Sequence, residues 1–144
     1  MKVLLDTNVI AELRKGPRAN ANVMAWFASI EPADVVLSVL TVGEIRLGIE
    51  NVRRRDRTAA RALERWLGRL LADHLDRLVP IDAEIAEEWG RLNVPDPLPV
   101  VDGLLAATAR VRGYRLATRH VKDVARTGVP IINPFEAAAE IEES

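Results

Sequence analysis

The chain opens on Val3-Leu4-Leu5-Asp6-Thr7-Asn8, a short apolar run that ends at an aspartate and two further polar residues. An apolar run bounded in this way is typical of a buried strand. Burying the carboxylate of Asp6 just after that strand is unfavourable unless hydrogen-bond donors or a metal ion neutralise it. Thr7 and Asn8 are suited to supply donors or to begin a helix. Asp6 is therefore the first candidate site residue, and an N-cap is its alternative role.

Two more carboxylates follow apolar segments further along the chain. Glu44 lies just after the apolar run of residues 35–38, and Asp102 opens a helical segment. Taken singly, Glu44 is typical of a solvent-facing glutamate, and Asp102 of a helix cap. The small residues Gly43 and Gly48 predict that the helix carrying Glu44 packs tightly on a sheet, so that this acid points at a defined place.

The rest of the chain alternates short apolar runs with longer amphipathic segments, which predicts an α/β fold with a mainly parallel sheet. The predicted strands are residues 2–6, 34–38, 77–80, 114–118 and 129–132, and the predicted helices are 8–13, 21–30, 42–50, 58–74, 83–92, 102–112 and 134–141. A chain of 144 residues is expected to form one domain, residues 1–144. Ligand groups in such folds gather beyond the carboxyl ends of the strands, where we expect the three acids to meet.

Three carboxylates at one place would suit a hard divalent cation, Mg²⁺ or Mn²⁺. We expect Asp6 and Asp102 to bind the ion directly, and Glu44 to bind it directly or through water. Such a site is typical of metal-assisted hydrolysis of phosphodiester bonds. Its expected catalytic residues are these three acids together with a fourth residue near the end of the chain.

Two residues compete for that fourth position, after the strand predicted over residues 114–118. Asp123 would complete an acidic set, although a surface residue in a helical turn is the alternative. His120 lies nearer the strand end and could contact metal, water or phosphate, or only hydrogen-bond a neighbour. Thr118 and Arg119 are candidates for contact with the scissile phosphate, and the choice between Asp123 and His120 stays open.

Composition excludes several classes of protein. The 49% hydrophobic and 28% charged residues are those of a globular chain, and the absence of cysteine excludes disulfides and thiolate metal sites. A net charge of −1 argues against a nucleic-acid binder that is basic overall. Asp6 comes too early for a signal peptide, and no apolar run approaches the roughly 20 residues of a membrane span. We therefore expect a cytoplasmic protein with no membrane contact.

The helix predicted over residues 58–74 has a basic face. Arg61, Arg65 and Arg69 recur every four residues, opposite an apolar face that includes Leu63 and Trp66. A solvated surface ridge is one interpretation of the arginines. The alternatives are a surface that contacts RNA phosphates, or a helix that binds a partner.

These residues together resemble the PIN-domain family, and within it the VapC-type toxins of bacterial toxin–antitoxin pairs. The matching segments are Leu4-Leu5-Asp6-Thr7-Asn8-Val9-Ile10, Leu37-Ser38-Val39-Leu40-Thr41-Val42-Gly43-Glu44-Ile45-Arg46-Leu47-Gly48, Asp102-Gly103-Leu104-Leu105-Ala106-Ala107-Thr108-Ala109, Ala117-Thr118-Arg119-His120 and Asn133-Pro134-Phe135. They occur in the family's order across nearly the whole chain. His120 is the departure, since this family more often has asparagine or aspartate there.

The resemblance implies a three-layer sandwich and a Mg²⁺- or Mn²⁺-dependent endoribonuclease that cleaves cellular RNA of the tRNA or rRNA class. It also implies a homodimer, inhibition by a cognate VapB-type antitoxin, and contact with DNA only through that antitoxin. The alternative is a PIN-fold binding module with weak or lost nuclease activity, which acts with its antitoxin as a co-repressor on promoter DNA.

Overall fold

A central parallel sheet organises the molecule. The structure, a computed structural model, describes residues 1–137, and within them five strands pair in the order β3-β2-β1-β4-β5. The strands are β1 (Val3–Leu5), β2 (Val35–Ser38), β3 (Leu78–Val79), β4 (Arg115–Ala117) and β5 (Ile131–Ile132). All four neighbouring pairs are parallel. The predicted α/β class is confirmed, and every strand of the sheet ends at the same edge.

Helices connect these strands and cover both faces of the sheet. In residues 1–137 the α-helices are α1 (Thr7–Leu13), α2 (Ala21–Ser29), α3 (Val39–Arg53), α4 (Arg57–Asp73), α5 (Ala83–Leu92), α6 (Val100–Arg112) and α7 (Val121–Val124). Parallel neighbours require such crossover connections, because a tight turn cannot reverse the chain and start a parallel strand. None of the helices in this part of the chain combines the length and apolar character that a membrane crossing requires.

The alternation of side chains along β1 divides the core into two layers. Val3 and Leu5 point into a cluster formed with α1 and α2, in which Trp26 is buried. Leu4 points to the opposite face, where it packs in a second cluster with Leu105 of α6. Because β1 is buried on both faces, its end delivers Asp6 into the interior of the molecule.

Helices α3 and α4 form a hairpin with a small core of its own. Ile49, Ala60 and Leu67 are buried between the two helices. Gly43 and Gly48, in contrast, are exposed, and a Cβ atom added at either would meet nothing within 4 Å. The expectation that these glycines allow α3 to pack tightly on the sheet is therefore wrong, because both lie on the solvent side of the helix.

Most predicted elements match the observed ones to within a few residues. Helix α3 begins at Val39 rather than at residue 42, because the hydroxyl of Ser38 accepts the Leu40 N–H and caps the helix directly after β2. The helix predicted over residues 134–141 is wrong at its start. Residues 134–137 form a turn, and the rest of that prediction lies outside the described residues.

Candidate active site

The site lies where two adjacent strands end. Leu5 of β1 is paired with Ala117 of β4, and the backbone N–H of Asp6 donates to the Ala117 carbonyl at 2.9 Å. This bond extends the pairing by one residue beyond β1. Asp6 and Thr118 therefore leave the sheet side by side, although 112 positions separate them in the sequence.

Asp6 is the buried centre of the site, with only 4% of its surface exposed. Its Oδ1 accepts the backbone N–H of Thr7 at 2.6 Å, so it is also the N-cap of α1. Its Oδ2 accepts the Asn8 amide at 3.0 Å and the Thr118 hydroxyl at 2.6 Å. Three donors thus offset much of the cost of burying this carboxylate.

Asp102 and His120 complete a cluster with Asp6. Asp102 lies in the first turn of α6, but the N-cap of that helix is Pro99, so a capping role for Asp102 is excluded. The Nδ1 atom of His120 lies 3.2 Å from Asp102 Oδ1, in hydrogen-bond contact, and 3.8 Å from Asp6 Oδ2. One ligand atom from each of the three residues lies within 4.8 Å of the others.

The charges in this cluster act on one another. Burial raises the pKa of Asp102 above its ordinary value, the hydrogen bond with His120 opposes that shift, and the negative charge of Asp6 adds to it. The hydrogen bond with Asp102 raises the pKa of His120, with further help from the charge of Asp6. Excess negative charge at the strand ends therefore favours any cation that approaches, whether an imidazolium or a metal ion.

Glu44 reaches the site through a neighbour. Its carboxylate accepts a hydrogen bond from the hydroxyl of Thr7, the residue that follows Asp6. It is half-buried on α3 and lies outside the close group of Asp6, Asp102 and His120. The structure therefore places Glu44 beside the cluster, with Thr7 as a link that the sequence did not identify.

Of the two candidates for the fourth position, His120 lies against Asp6 and Asp102, and Asp123 does not. Asp123 is exposed on α7, and its backbone N–H donates to the His120 carbonyl at 3.1 Å. Its charge contributes to the raised pKa values of Asp102 and His120, so it lies near the cluster without belonging to the close group. A catalytic role for Asp123 stays a prediction.

The remaining candidates hold the site together. Asn8 donates to Asp6, and its Oδ1 accepts the backbone N–H of Arg119 at 3.3 Å. Thr118 donates to Asp6, and its Oγ1 accepts the backbone N–H of His120 at 3.0 Å. The side chains of Asn8 and Thr118 therefore fix the loop after β4 onto the end of β1.

The chemistry of the donors fits a hard divalent cation. Two carboxylates from distant parts of the chain converge, and such oxygens are the usual ligands of Mg²⁺ and Mn²⁺. The hydrogen bonds to Asp6 fix the carboxylate in place as outer-shell partners do at metal sites.

Comparison with known proteins assigns the family. The PIN domain matches residues 3–126. The chain belongs to the PIN domain family. Its relatives include toxin FitB of Neisseria gonorrhoeae, 33% identical over 141 residues that cover 92% of this chain and 98% of FitB. They also include the VapC ribonuclease Y4jK of Sinorhizobium fredii, 32% identical over 141 residues that cover 94% of this chain and 99% of that protein.

Solved PIN-domain structures share the architecture. The crystal structure of FitAcB from Neisseria gonorrhoeae matches with a TM-score of 0.85 and 31% identity, over 93% of this chain and 99% of that one. A structure of FitAB bound to an IR36 DNA fragment matches with a TM-score of 0.82 and 30% identity, over 93% of this chain and 96% of that one. The three-layer PIN-like sandwich with helices on both faces of a parallel sheet is therefore confirmed.

Proposed function

We propose that this PIN-domain protein is the toxin of a toxin–antitoxin pair and an endoribonuclease that requires a divalent metal ion. It hydrolyses phosphodiester bonds in cellular RNA. The observation that carries the proposal is the convergence of Asp6, Asp102 and His120 within 4.8 Å of one another. Support comes from the 32% identity to a VapC ribonuclease over 94% of the chain.

Each acid has a distinct part in this proposal. Asp6 and Asp102 hold the divalent ion, Mg²⁺ or Mn²⁺, and Glu44 supports the site through its hydrogen bond with Thr7. A divalent ion bound there supplies positive charge that lowers the pKa of water and stabilises the negative charge of the transition state. Asp123 is the candidate for orienting the attacking water from the rim of the site.

In this proposal, the residues after β4 contact the substrate and keep the site ordered. His120, with a half-exposed side chain, is placed to hydrogen-bond a phosphate oxygen beside Asp102. Asn8 and Thr118 keep Asp6 and the loop of residues 118–120 in fixed positions, so the reacting groups are ordered before RNA arrives. We propose tRNA or rRNA as the substrate class, which the resemblance to VapC-type toxins implies.

A partner controls the activity. We propose a VapB-type antitoxin that inhibits the enzyme in trans; support comes from the relative FitB, which is named a toxin and has been solved in the FitAcB and FitAB complexes. DNA contact would then occur only through the antitoxin, and the FitAB complex bound to an IR36 DNA fragment is compatible with this proposal. The enzyme is proposed to act as a homodimer in the cytoplasm, where its RNA substrates lie, with residues 1–144 as one domain.

A binding module without nuclease activity is the second candidate. The presence of DNA in the FitAB structure and the histidine at position 120 favour it. A protein used only for binding, however, gains little from placing Asp6 and Asp102 so close together, since two carboxylates at short distance repel each other. We therefore favour the nuclease.

Cleavage of total cellular RNA by the purified protein tests the proposal. Reactions with Mg²⁺, Mn²⁺ or excess chelator are compared, with Asp6→Asn in parallel. Asp73→Asn is the matched control, because Asp73 is exposed at the end of α4, far along the chain from the site. Fragments with defined ends that disappear with chelator and with Asp6→Asn, but persist with Asp73→Asn, are the expected result. Folded protein that cleaves nothing with either metal would favour the binding module.

A further inference from the structure

Like Arg14, whose guanidinium carbon lies 6.0 Å from the centre of the Trp66 ring, Arg119 places its guanidinium group over an aromatic ring. Its guanidinium carbon lies 3.6 Å from the centre of the Phe135 ring. Arg46, Arg53 and Arg112, in contrast, donate to carboxylates of glutamate or aspartate. Within residues 1–137, no carboxylate oxygen lies within 4.0 Å of the Arg119 guanidinium, and it donates no hydrogen bond there.

The kind of partner decides whether an arginine can still bind a ligand. A carboxylate partner occupies the N–H donors of arginine, whereas an aromatic ring contacts only the face of the guanidinium plane. The five N–H donors of Arg119 lie in that plane, and no group within residues 1–137 accepts from them. A flat, oriented guanidinium with open donors matches the geometry of a phosphate group, which it can bind through two parallel hydrogen bonds.

Phe135 is well placed to fix that orientation. Its ring packs against the core cluster that contains Trp26 and Val23. Its N–H donates to the side chain of Asn133 at 3.0 Å, and its carbonyl accepts the Asn22 amide at 2.9 Å. The ring is therefore a well-anchored support, because both backbone polar groups of Phe135 are hydrogen-bonded and its side chain is packed.

The position of Arg119 relates this pair to the active site. The backbone N–H of Arg119 donates to Asn8, and Asn8 donates to Asp6, so two hydrogen bonds separate Arg119 from the central carboxylate. Glu12 lies in the same region and its pKa is lowered mainly by the backbone of Asn20 and by Lys15, with a smaller contribution from Arg119. Its two oxygens already accept from Asn20 and Lys15, so they do not occupy the donors of Arg119.

We propose that Arg119, held flat by Phe135, binds an RNA backbone phosphate next to the scissile bond. This inference rests on the proposed function, because it takes RNA as the substrate and Asp6 as the place of cleavage. Arg119 contacts the phosphate, and Phe135 is a positioning residue that acts through Arg119. Phosphate contacts of this kind fix the register of a nucleic acid without reading its bases.

Binding of a short single-stranded RNA tests the inference. The full chain is titrated in excess chelator, so that no cleavage is needed, and fluorescence anisotropy gives Kd at several salt concentrations. Arg119→Ala should weaken binding about tenfold, and should reduce the slope of log K against log salt by about 0.7, the value for one phosphate contact on a single strand. Arg91→Ala, an exposed arginine paired with Glu88, is the control and should bind as the wild type does.

Phe135 is tested by a double-variant cycle. Phe135→Met keeps an apolar side chain of similar size but removes the ring, and Phe135→Tyr keeps the ring. We expect several-fold weaker binding for Phe135→Met, none of that loss for Phe135→Tyr, and no further loss when Phe135→Met is added to Arg119→Ala. Thermal melting of each variant identifies any loss of folding, and Arg119→Ala tests the phosphate contact even if Phe135→Met unfolds.

Three outcomes would overturn the inference. The first is Arg119→Ala that binds RNA as tightly as the wild type. The second is Phe135→Met that weakens binding equally in the presence and absence of Arg119, which would make Phe135 a structural residue only. The third is an Arg119→Ala variant that binds RNA normally but no longer associates with the protein encoded beside this chain, which would assign Arg119 to the partner interface. If RNA binding responds as expected but the wild type never cleaves RNA, the nuclease proposal fails and the phosphate contact stands.

Discussion

At the residue scale, the decisive contact joins two residues that lie 112 positions apart in the sequence. The Thr118 hydroxyl donates to Asp6 at 2.6 Å and accepts the His120 N–H at 3.0 Å. A single hydroxyl therefore stabilises a buried carboxylate and positions the loop that carries His120. A second buried hydroxyl, that of Thr41 in α3, has no hydrogen-bond partner within the described residues.

These two threonines predict opposite effects of the same substitution. Thr118→Val leaves Asp6 with one donor fewer and the His120 N–H unpaired, so it should lower the free energy of unfolding by about 1–3 kcal/mol. Thr41→Val removes a polar group that gains nothing from burial and should raise that free energy by about 1 kcal/mol. Urea denaturation of both variants measures the difference. Equal destabilisation by the two substitutions would contradict the assigned hydrogen bonds.

The sequence predicted part of this site. Asp6 and Thr118 were recognisable because each directly follows an apolar strand, and parallel strands end at one edge. The contact between Asp102 and His120 was not predictable, since it depends on how α6 is rotated about its axis. The link from Thr7 to Glu44 also depends on helix placement, which the spacing of residues does not determine.

At the element scale, helix α6 packs closely against its surroundings at Gly103. A Cβ atom added at Gly103 would lie 3.2 Å from Leu98 Cβ and 3.3 Å from the Trp89 ring. Gly68 lies in the interior of α4, and a Cβ atom there would meet nothing within 4 Å. The two glycines share a helical conformation but differ in the space around them.

We expect alanine to act oppositely at these two glycines. Gly68→Ala should stabilise the protein by about 1 kcal/mol, the difference in helix propensity between the two residues. Gly103→Ala should destabilise it by about 1–3 kcal/mol, because the crowding around α6 outweighs that gain. Thermal or urea unfolding of the two variants measures both changes in stability. A stabilising Gly103→Ala would show that Leu98 and Trp89 move aside without cost.

An ion-pair network links α3 to α4 and predicts a pH dependence. Glu64 accepts from Arg46 at 2.7 Å and forms an ion pair with Arg53 at 2.6 Å, and these contacts, of which that with Arg53 is the larger, lower the pKa of Glu64 below its ordinary value. A carboxyl whose pKa is lower in the folded state stabilises the fold above its unfolded pKa, and this stabilisation is lost as the pH falls through the folded value. Glu64→Gln should therefore melt at a lower temperature than the wild type at pH 7, and this gap should close as the pH falls through the folded pKa of Glu64.

The control for this effect is Glu87→Gln, an exposed position on α5. Its melting temperature should follow that of the wild type at every pH. A gap between Glu64→Gln and the wild type that stays constant as the pH falls into the acid range would show that Glu64 acts through packing and not through its charge.

The elements themselves were largely predictable, with one instructive exception. Amphipathic periodicity identified α4 and α5 because their buried faces are long. The helix predicted over residues 134–141 failed at its start, where residues 134–137 form a turn after Asn133. The side chain of Asn133 accepts the Phe135 N–H, and its carbonyl accepts the Glu136 N–H. Asn20 accepts the Asn22 N–H in the same way and caps α2, so the apolar pattern and the asparagine do not by themselves separate a turn from a helix start.

At the scale of the whole molecule, the proposed toxin requires control by a partner. Expression of the chain alone should arrest growth, and co-expression with the protein encoded beside it should restore growth. Asp6→Asn should abolish the arrest without the partner. Arrest that continues with Asp6→Asn, at equal protein levels, would separate toxicity from the acidic site.

The central claim is that folding brings Asp6 and Asp102 together to hold one divalent ion. Binding of Mn²⁺, followed by electron paramagnetic resonance of the free ion, tests it most directly. The wild type and Asp73→Asn should bind Mn²⁺ alike, whereas Asp6→Asn and Asp102→Asn should each bind at least tenfold more weakly. Equal Mn²⁺ binding by all four proteins would contradict the claim, because the ion would then lie elsewhere.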